Sequence, residues 1–320
     1  MSIIAALPRS ALHLRLLAAN DPGVTHVLYR DDHVAPEIEA LFPGKGIALG
    51  REIRPARDPL QWPARFAANR RYYAHVRTML APLGIERLII FLEGEPLERM
   101  LAGWFTGPIE LWEDGLSHYV DLTSPLWYAA RGAVQVAAGF HPAGALTRRA
   151  DRRRMIVRDR FETGDLVLPS PAIAAPRDRL LFIGSPLVED GIVPRSALSA
   201  GLQALCAASP LPVAYLPHPR EDAGAARDMV GAIAGVQIAL LPHGIAPHVE
   251  AHGYRGFVSA ASTALLDLGA FGRSLFVPRL FGLGRMHKAL ADWRCNPVAV
   301  ASGRDEAARV LARWSDTPAR

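Results

Sequence analysis

Cysteine is scarce, with Cys206 and Cys295 the only two in 320 residues and no CxxC pair. Two such distant thiols exclude a disulfide framework and a thiolate metal cluster. They predict a reducing compartment, with both side chains buried as small apolar groups. Long hydrophobic runs are missing too, since none approaches the roughly 20 apolar residues of a membrane span. The opening "MSIIAALPRSALHLRLLAAN" has no basic lead and is broken by Pro8, Arg9, His13 and Arg15, which predicts no signal peptide. "AARGAVQVAAGF" is too short to span and carries an arginine. Lysine is rare, so the net charge of +5 rests almost wholly on arginine. That excess suits an anionic substrate or a membrane face and argues only weakly for nucleic acid. There is no internal repeat and no low-complexity tract. These absences together predict a cytoplasmic protein, with peripheral contact to the inner membrane as a further expectation.

Half of the residues are hydrophobic and 21% are charged, a soluble globular composition with material for two domains of roughly 150 residues. "SIIAAL" and "THVLYR" read as short parallel-type strands followed by helical segments. "RLIIFLEG" (87–94) is a continuous apolar run ended by Glu93 and Gly94, the pattern of a strand buried on both faces. A helix near 95–104 and the strand "PIELW" follow. Then the texture changes: "TRRADRRRMIVRDR", between Arg148 and Arg160, and the Pro-rich "LPSPAIAAPRD" predict a domain boundary near 160–178. The charge run reads as a solvated linker with its arginines facing outward. Strand candidates resume at 179–184, 211–218, 236–243, 256–260 and 273–278, separated by helical stretches near 195–208, 222–233 and 262–271. This alternation predicts an α/β chain of two Rossmann-like, doubly wound domains, 1–165 and 166–320, facing a central cleft in the GT-B arrangement. The last amphipathic helix, 304–315, is expected to pack back toward the N-terminal domain.

Four stretches carry chemistry at strand ends, where open α/β sheets bind ligands. "ELWEDGLSHY" (110–119) ends a strand in Glu113-Asp114-Gly115. A carboxylate there can act as general base, or Asp114 can simply cap an Asx-type turn. "YLPHPRE" holds His218 between Pro217 and Pro219 with Arg220 beside it, an imidazole and a guanidinium suited to a leaving phosphate. "GFVSAASTALLDLGAF" runs from a strand into a helix start bearing Ser259, Ser262 and Thr263. It reads as an anion site, as N-capping, or as both. "LLFIGSPLVEDGIV" places Gly184 after the first strand of the second domain, where a backbone can approach a ligand closely, and repeats the EDG triplet at Glu189-Asp190-Gly191.

In this order the motifs resemble those of the bacterial sialyltransferases of the lipooligosaccharide and polysialic-acid capsule families. These share a D/E-D/E-G motif, an HP motif and a paired Ser-Ser/Thr motif on a GT-B scaffold. Here they correspond to Glu113-Asp114-Gly115, His218-Pro219 and Ser262-Thr263, and a serine, Ser185, stands where those enzymes often carry glutamine. The similarity covers roughly residues 86–120 and 179–270. The resemblance implies an inverting, metal-independent transferase needing no cofactor beyond its CMP-sugar substrate. Asp114 would be the base, His218 would hold the CMP phosphate and act as acid toward it, and Ser262 and Thr263 would bind the same phosphate. Its partners would be a CMP-activated nonulosonic acid (sialic acid or a relative, or Kdo) and a glycan or glycolipid acceptor, with a homodimer as a further expectation and no nucleic acid. Two alternatives stand beside it. One is a GT-B transferase using a UDP- or GDP-sugar or a polyol phosphate. The other is a non-catalytic protein binding nucleic acid or anionic lipid through Arg152, Arg153 and Arg154.

Overall fold

The computed structural model describes residues 2–30, 32–54, 58–120, 125–140, 149–157, 163–167, 178–218, 220–239, 245, 249, 252–268 and 273–316. The chain forms two units, Met1–Asp114 with Thr123–Pro169, and Gly115–Leu122 with Ser170–Arg320.

The first unit is built on β1 (Ile4–Leu7), β2 (His26–Tyr29), β3 (Gly46–Ala48), β4 (Arg87–Ile90), β5 (Ile109–Trp112), β6 (Arg152–Met155) and β7 (Thr163–Gly164). All pairings are parallel, in the order β3-β2-β1-β4-β5-β6-β7. Its helices are α1 (Ala11–Asn20), α2 (Ala35–Leu41), α3 (Trp62–Leu80), α4 (Pro96–Trp104) and α5 (Pro125–Ala137). Because successive strand residues point to opposite faces, a run apolar at every position must be covered twice. Ala5, Leu7, Leu88, Ile90 and Leu111 pack with Tyr73, Val76, Leu97 and Met100 of α3 and α4. Ile4, Ala6, Ile89, Phe91 and Trp112 pack with Leu14, Leu17 and Ile38 of α1 and α2.

The arginine run does not form the expected linker. Residues 152–155 are a strand of the first sheet, and acids meet all three arginines. Arg152 and Arg154 each lie 2.9 Å from Asp165, and Arg153 lies 2.9 Å from Glu93. The Arg154 guanidinium also covers the Trp112 ring, 4.9 Å from its centroid. Long arginine stems can line a sheet when their heads are paired or solvated, so a charge-dense run remains compatible with a strand.

The second unit repeats the plan with β8 (Leu180–Ile183), β9 (Val213–Leu216), β10 (Val236–Ile238), β11 (Gly256–Ser259), β12 (Arg273–Phe276) and β13 (Ala299–Val300), in the order β10-β9-β8-β11-β12-β13, again parallel. Its helices include α6 (Arg195–Ala208), α7 (Ala223–Gly231), α8 (Ala264–Asp267), α9 (Gly284–Asp292) and α10 (Arg304–Asp316). Ala307, Leu311 and Trp314 of α10 join Leu198, Leu202 and Leu205 of α6 in one core. A Cβ on Gly256 would stand 2.4 Å from the Trp314 ring, so the bare strand residue lets the indole seat on β11. The last helix therefore completes the core of its own unit. Cys206 is half-buried, as an apolar filler should be, but Cys295 is exposed in the turn after α9. Among the described residues no helix is long and apolar enough to cross a membrane.

Candidate active site

In each sheet the strand order reverses beside its first strand, between β1 and β4 and between β8 and β11. Ligands of open parallel sheets bind beyond the strand ends at such a reversal. Every described site residue expected from the sequence lies in a loop that leaves a strand end at or near one of these points.

In the first unit, β1 runs through Pro8 into α1, where Ser10 caps the helix by accepting the His13 backbone N–H at 3.4 Å. The Arg9 backbone N–H donates to His13 Nδ1 at 2.9 Å, so the proton of the neutral ring sits on Nε2. That Nε2 lies 2.9 Å from Asp114 Oδ1. The N–H is not aligned with the oxygen, so proximity rather than a formed hydrogen bond defines the pair. The His13 ring is stacked on Phe91, with centroids 4.0 Å apart and planes 8° from parallel. Exposure separates the two partners: the His13 side chain is 1% exposed and Asp114 27%. A substrate can reach the carboxylate but not the imidazole behind it.

The surroundings of this pair are charged and buried. Arg9 holds Glu98 through two hydrogen bonds of 2.6 Å. Burial works against the Arg9 charge, but the adjoining Glu98 outweighs it, and the guanidinium is held above its usual range. Burial pushes the Glu52 carboxyl up, and Glu52 accepts from the Tyr73 hydroxyl at 3.2 Å. Glu113 is fully buried and accepts the Ile156 N–H at 2.6 Å, which anchors the end of β5 to the loop after β6. Gly115 has φ of 135°, a region that favours glycine, and a Cβ there would lie 1.8 Å from the Thr263 methyl. The EDG triplet thus divides into an anchor, a reachable carboxylate and an obligatory glycine. Tyr119, four residues after Gly115, is stacked on Trp293 at 4.5 Å.

In the second unit three loops are tied together. The Gly184 N–H donates to Leu216 O at 2.7 Å, joining the ends of β8 and β9, and the Ser259 hydroxyl donates to Ile183 O at 2.8 Å, joining β8 and β11. The close approach expected at Gly184 is made by the protein itself, because a Cβ would stand 2.4 Å from Glu221 Oε1 and 2.8 Å from Leu216 O. Glu221 organises the HP turn: Oε1 accepts the His218 N–H at 2.9 Å and Oε2 accepts the Tyr215 hydroxyl. Burial pushes both the Glu221 carboxyl and the Tyr215 hydroxyl up. His218 is half-buried, and its Nδ1 accepts the Arg220 N–H at 3.1 Å, which leaves the neutral ring's proton on Nε2. Burial first, and then the Arg220 charge, push His218 below its ordinary value. Arg220 is exposed and paired with Asp190 of the second EDG triplet. Pro219 lies outside the described residues.

At the Ser-Thr motif, Ser259 organises the loop after β11 by accepting the N–H groups of Ala261 and Ser262 at 3.3 and 2.9 Å, and the Ser262 hydroxyl accepts the N–H of Ala264, the first residue of α8, at 3.3 Å. Thr263 stands at the N-cap position with helical backbone angles and makes no side-chain capping bond, and α8 behind it is Ala264–Asp267. One turn supplies little macrodipole, so an anion here would be held by hydroxyls and loop N–H groups rather than by a helix field. His13, Arg9, Glu221 and the role of Ser259 in tying β8 to the β11 loop were not picked out from the sequence. A histidine in the first turn after β1 and a glutamate closing "PHPRE" were the available signals.

The sequence matches no protein-family model and no curated protein. The structure resembles solved glycosyltransferases. Against CalG4, the calicheamicin glycosyltransferase, the TM-score is 0.54 at 12% identity, covering 99% of this chain and 90% of that one. Against the glycotransferase of kitacinnamycin the values are the same. Against Arabidopsis thaliana UGT89C1 complexed with UDP the TM-score is 0.55 at 13% identity, covering 99% and 92%. At these identities the likeness is one of fold: the chain has the GT-B fold, with two Rossmann-like domains.

Proposed function

We propose that the chain is an inverting glycosyltransferase that uses Asp114 as general base and the β8, β9 and β11 loops of the second unit to hold the nucleotide of its donor. The observation that carries this reading is the His13–Asp114 pair, in which a reachable carboxylate is backed by a fully buried, stacked imidazole. Asp114 takes the proton of an acceptor hydroxyl, and that oxygen attacks the anomeric carbon as its bond to the phosphate oxygen breaks. The electron pair leaves with the phosphate. His218, neutral at pH 7, donates through Nε2–H to the departing oxygens, with the hydroxyls of Ser262 and Thr263 as further donors. His13 positions the carboxylate and does not meet substrate.

The order of the EDG, HP and Ser-Thr motifs supports a CMP-activated nonulosonic acid as donor. A second reading, a UDP-sugar donor, is supported by the likeness to a structure solved with UDP. Thermal-shift titration separates them, since the true donor's nucleotide should raise the melting temperature and the others should not. For the chemistry, Asp114→Asn should lower turnover by roughly 10²–10⁴-fold and leave nucleotide affinity unchanged. His13→Gln should lower turnover by less, with unaltered acceptor KM. Near-wild-type turnover of Asp114→Asn would remove the base assignment.

A further inference from the structure

The first unit carries an apolar surface that its core does not use. Leu60, at the head of α3, is 88% exposed, and Ile53, Phe66, Val134 and Val136 are each between 41% and 46% exposed. Ile53 and Phe66 lie beside one clamp that reaches the end of α5. Asn69 accepts the Ile53 N–H at 2.7 Å and donates to Ile53 O at 3.0 Å and to Ala138 O at 2.7 Å, binding the chain before α3 to the end of α5. Gly139 lies against the Phe66 backbone, where a Cβ would stand 2.5 Å from its carbonyl oxygen. Ile53, the Phe66 turn of α3 and the end of α5 are therefore neighbours in the first unit. Leu60 is held out by Asp58, whose carboxylate accepts the Leu60 N–H at 3.0 Å.

The same face is cationic. Helix α3 contains Arg65, Arg70, Arg71 and Arg77 and no acidic residue in its 19 positions. Arg70 follows Phe66 at a helical spacing of four and is exposed, and Arg54 is exposed beside Ile53. Exposed aromatic and aliphatic side chains on a helix whose polar face is wholly basic are the composition of a surface that lies on an anionic bilayer. Apolar groups enter the headgroup boundary, and arginines reach the lipid phosphates. A nucleic acid would use the arginines and leave the apolar groups in water.

We infer that this surface of the first unit, formed by Ile53, Arg54, α3 and the end of α5, docks on an anionic lipid bilayer. The inference does not depend on the glycosyltransferase reading, and its test measures binding alone. The full-length chain is sedimented with phosphatidylcholine vesicles and with vesicles containing phosphatidylglycerol, at low and high salt. Binding is expected on the anionic vesicles only. Each arginine near such a surface contributes about fivefold, so Arg70→Glu with Arg71→Glu should weaken it by ~25-fold or more. Leu60→Ser with Phe66→Ser keeps every charge and should weaken it about tenfold through lost insertion. Unchanged melting temperatures of both variants show that folding is not the cause. Failure of the wild-type chain to bind anionic vesicles would overturn the inference, as would full binding by the Leu60/Phe66 variant. Self-association that this variant abolishes, with no vesicle binding by wild type, would assign the face to a second copy of the chain.

Discussion

The protonation of His218 is set by three neighbours that can be named. Its Nδ1 is occupied by the Arg220 N–H, and burial and the Arg220 charge together hold the ring below its ordinary pKa, against the weaker opposite pull of Asp190 and Glu189. Without a ligand the ring is therefore neutral at pH 7. A phosphate brought beside Nε2 favours the imidazolium and raises that pKa, so binding takes up a proton once the pH nears the window between the two values. Nucleotide affinity should rise as pH falls from 7.5 toward 6, and His218→Ala should lose that rise while keeping whatever part belongs to the phosphate's own titration. Calorimetry of the nucleotide monophosphate at several pH values measures both. Identical pH profiles for the two proteins would take His218 away from the phosphate. The free protein has the opposite slope. A depressed folded-state pKa gives stability that is present above the unfolded value and lost as pH falls through the folded one, so nucleotide should protect most under mildly acidic conditions.

At the scale of elements, the β8–β9 turn shows how a glycine and a glutamate act as one device. Gly184 leaves room for Glu221, and Glu221 holds both the His218 backbone and the Tyr215 hydroxyl. Gly184→Ala must displace the Leu216 carbonyl or Glu221. It should cost about 1–3 kcal/mol in urea unfolding and weaken nucleotide binding as well, because the HP turn loses its brace. Unaltered affinity in a destabilised Gly184→Ala protein would show that the brace serves folding alone. The sequence made the strands legible because β4, β5, β8 and β9 are short apolar runs closed by Gly, Pro or acidic residues, and α6 was legible to its residue limits. The arginine strand β6 was not, because its partners Asp165, Glu93 and Trp112 come from elsewhere in the chain and no local pattern announces them. Asp114 could be singled out as the end of a buried strand. His13 could not, because 101 positions separate it from Asp114 and only the parallel order β1-β4-β5 brings them together. Of the helical stretch read near 262–271, the described residues form the helix Ala264–Asp267.

On the scale of the whole molecule, the chain passes between its two units three times, at 114/115, 122/123 and 169/170. The first two crossings set Gly115–Leu122 into the second unit, directly after the proposed base. Asp114 is thereby bracketed: on one side the buried Glu113 fixes β5 to Ile156, and on the other Gly115 is pressed against Thr263. The segment also stacks Tyr119 on Trp293 of the second unit, with planes 22° from parallel. Such a pair contributes about 0.5–1.5 kcal/mol beyond its buried area. Tyr119→Ala should lower the stability of the second unit by at least that amount. It should also lower turnover, because the backbone following Asp114 loses its seat and the carboxylate its fixed presentation. Tyr119→Phe keeps the ring and should behave as wild type in both respects, which separates the stack from any contact of the phenolic hydroxyl. Nucleotide affinity should change little in either variant, since the β8, β9 and β11 loops are tied to one another without Tyr119. A Tyr119→Ala enzyme with reduced stability but unchanged turnover would mean that β5 alone positions Asp114.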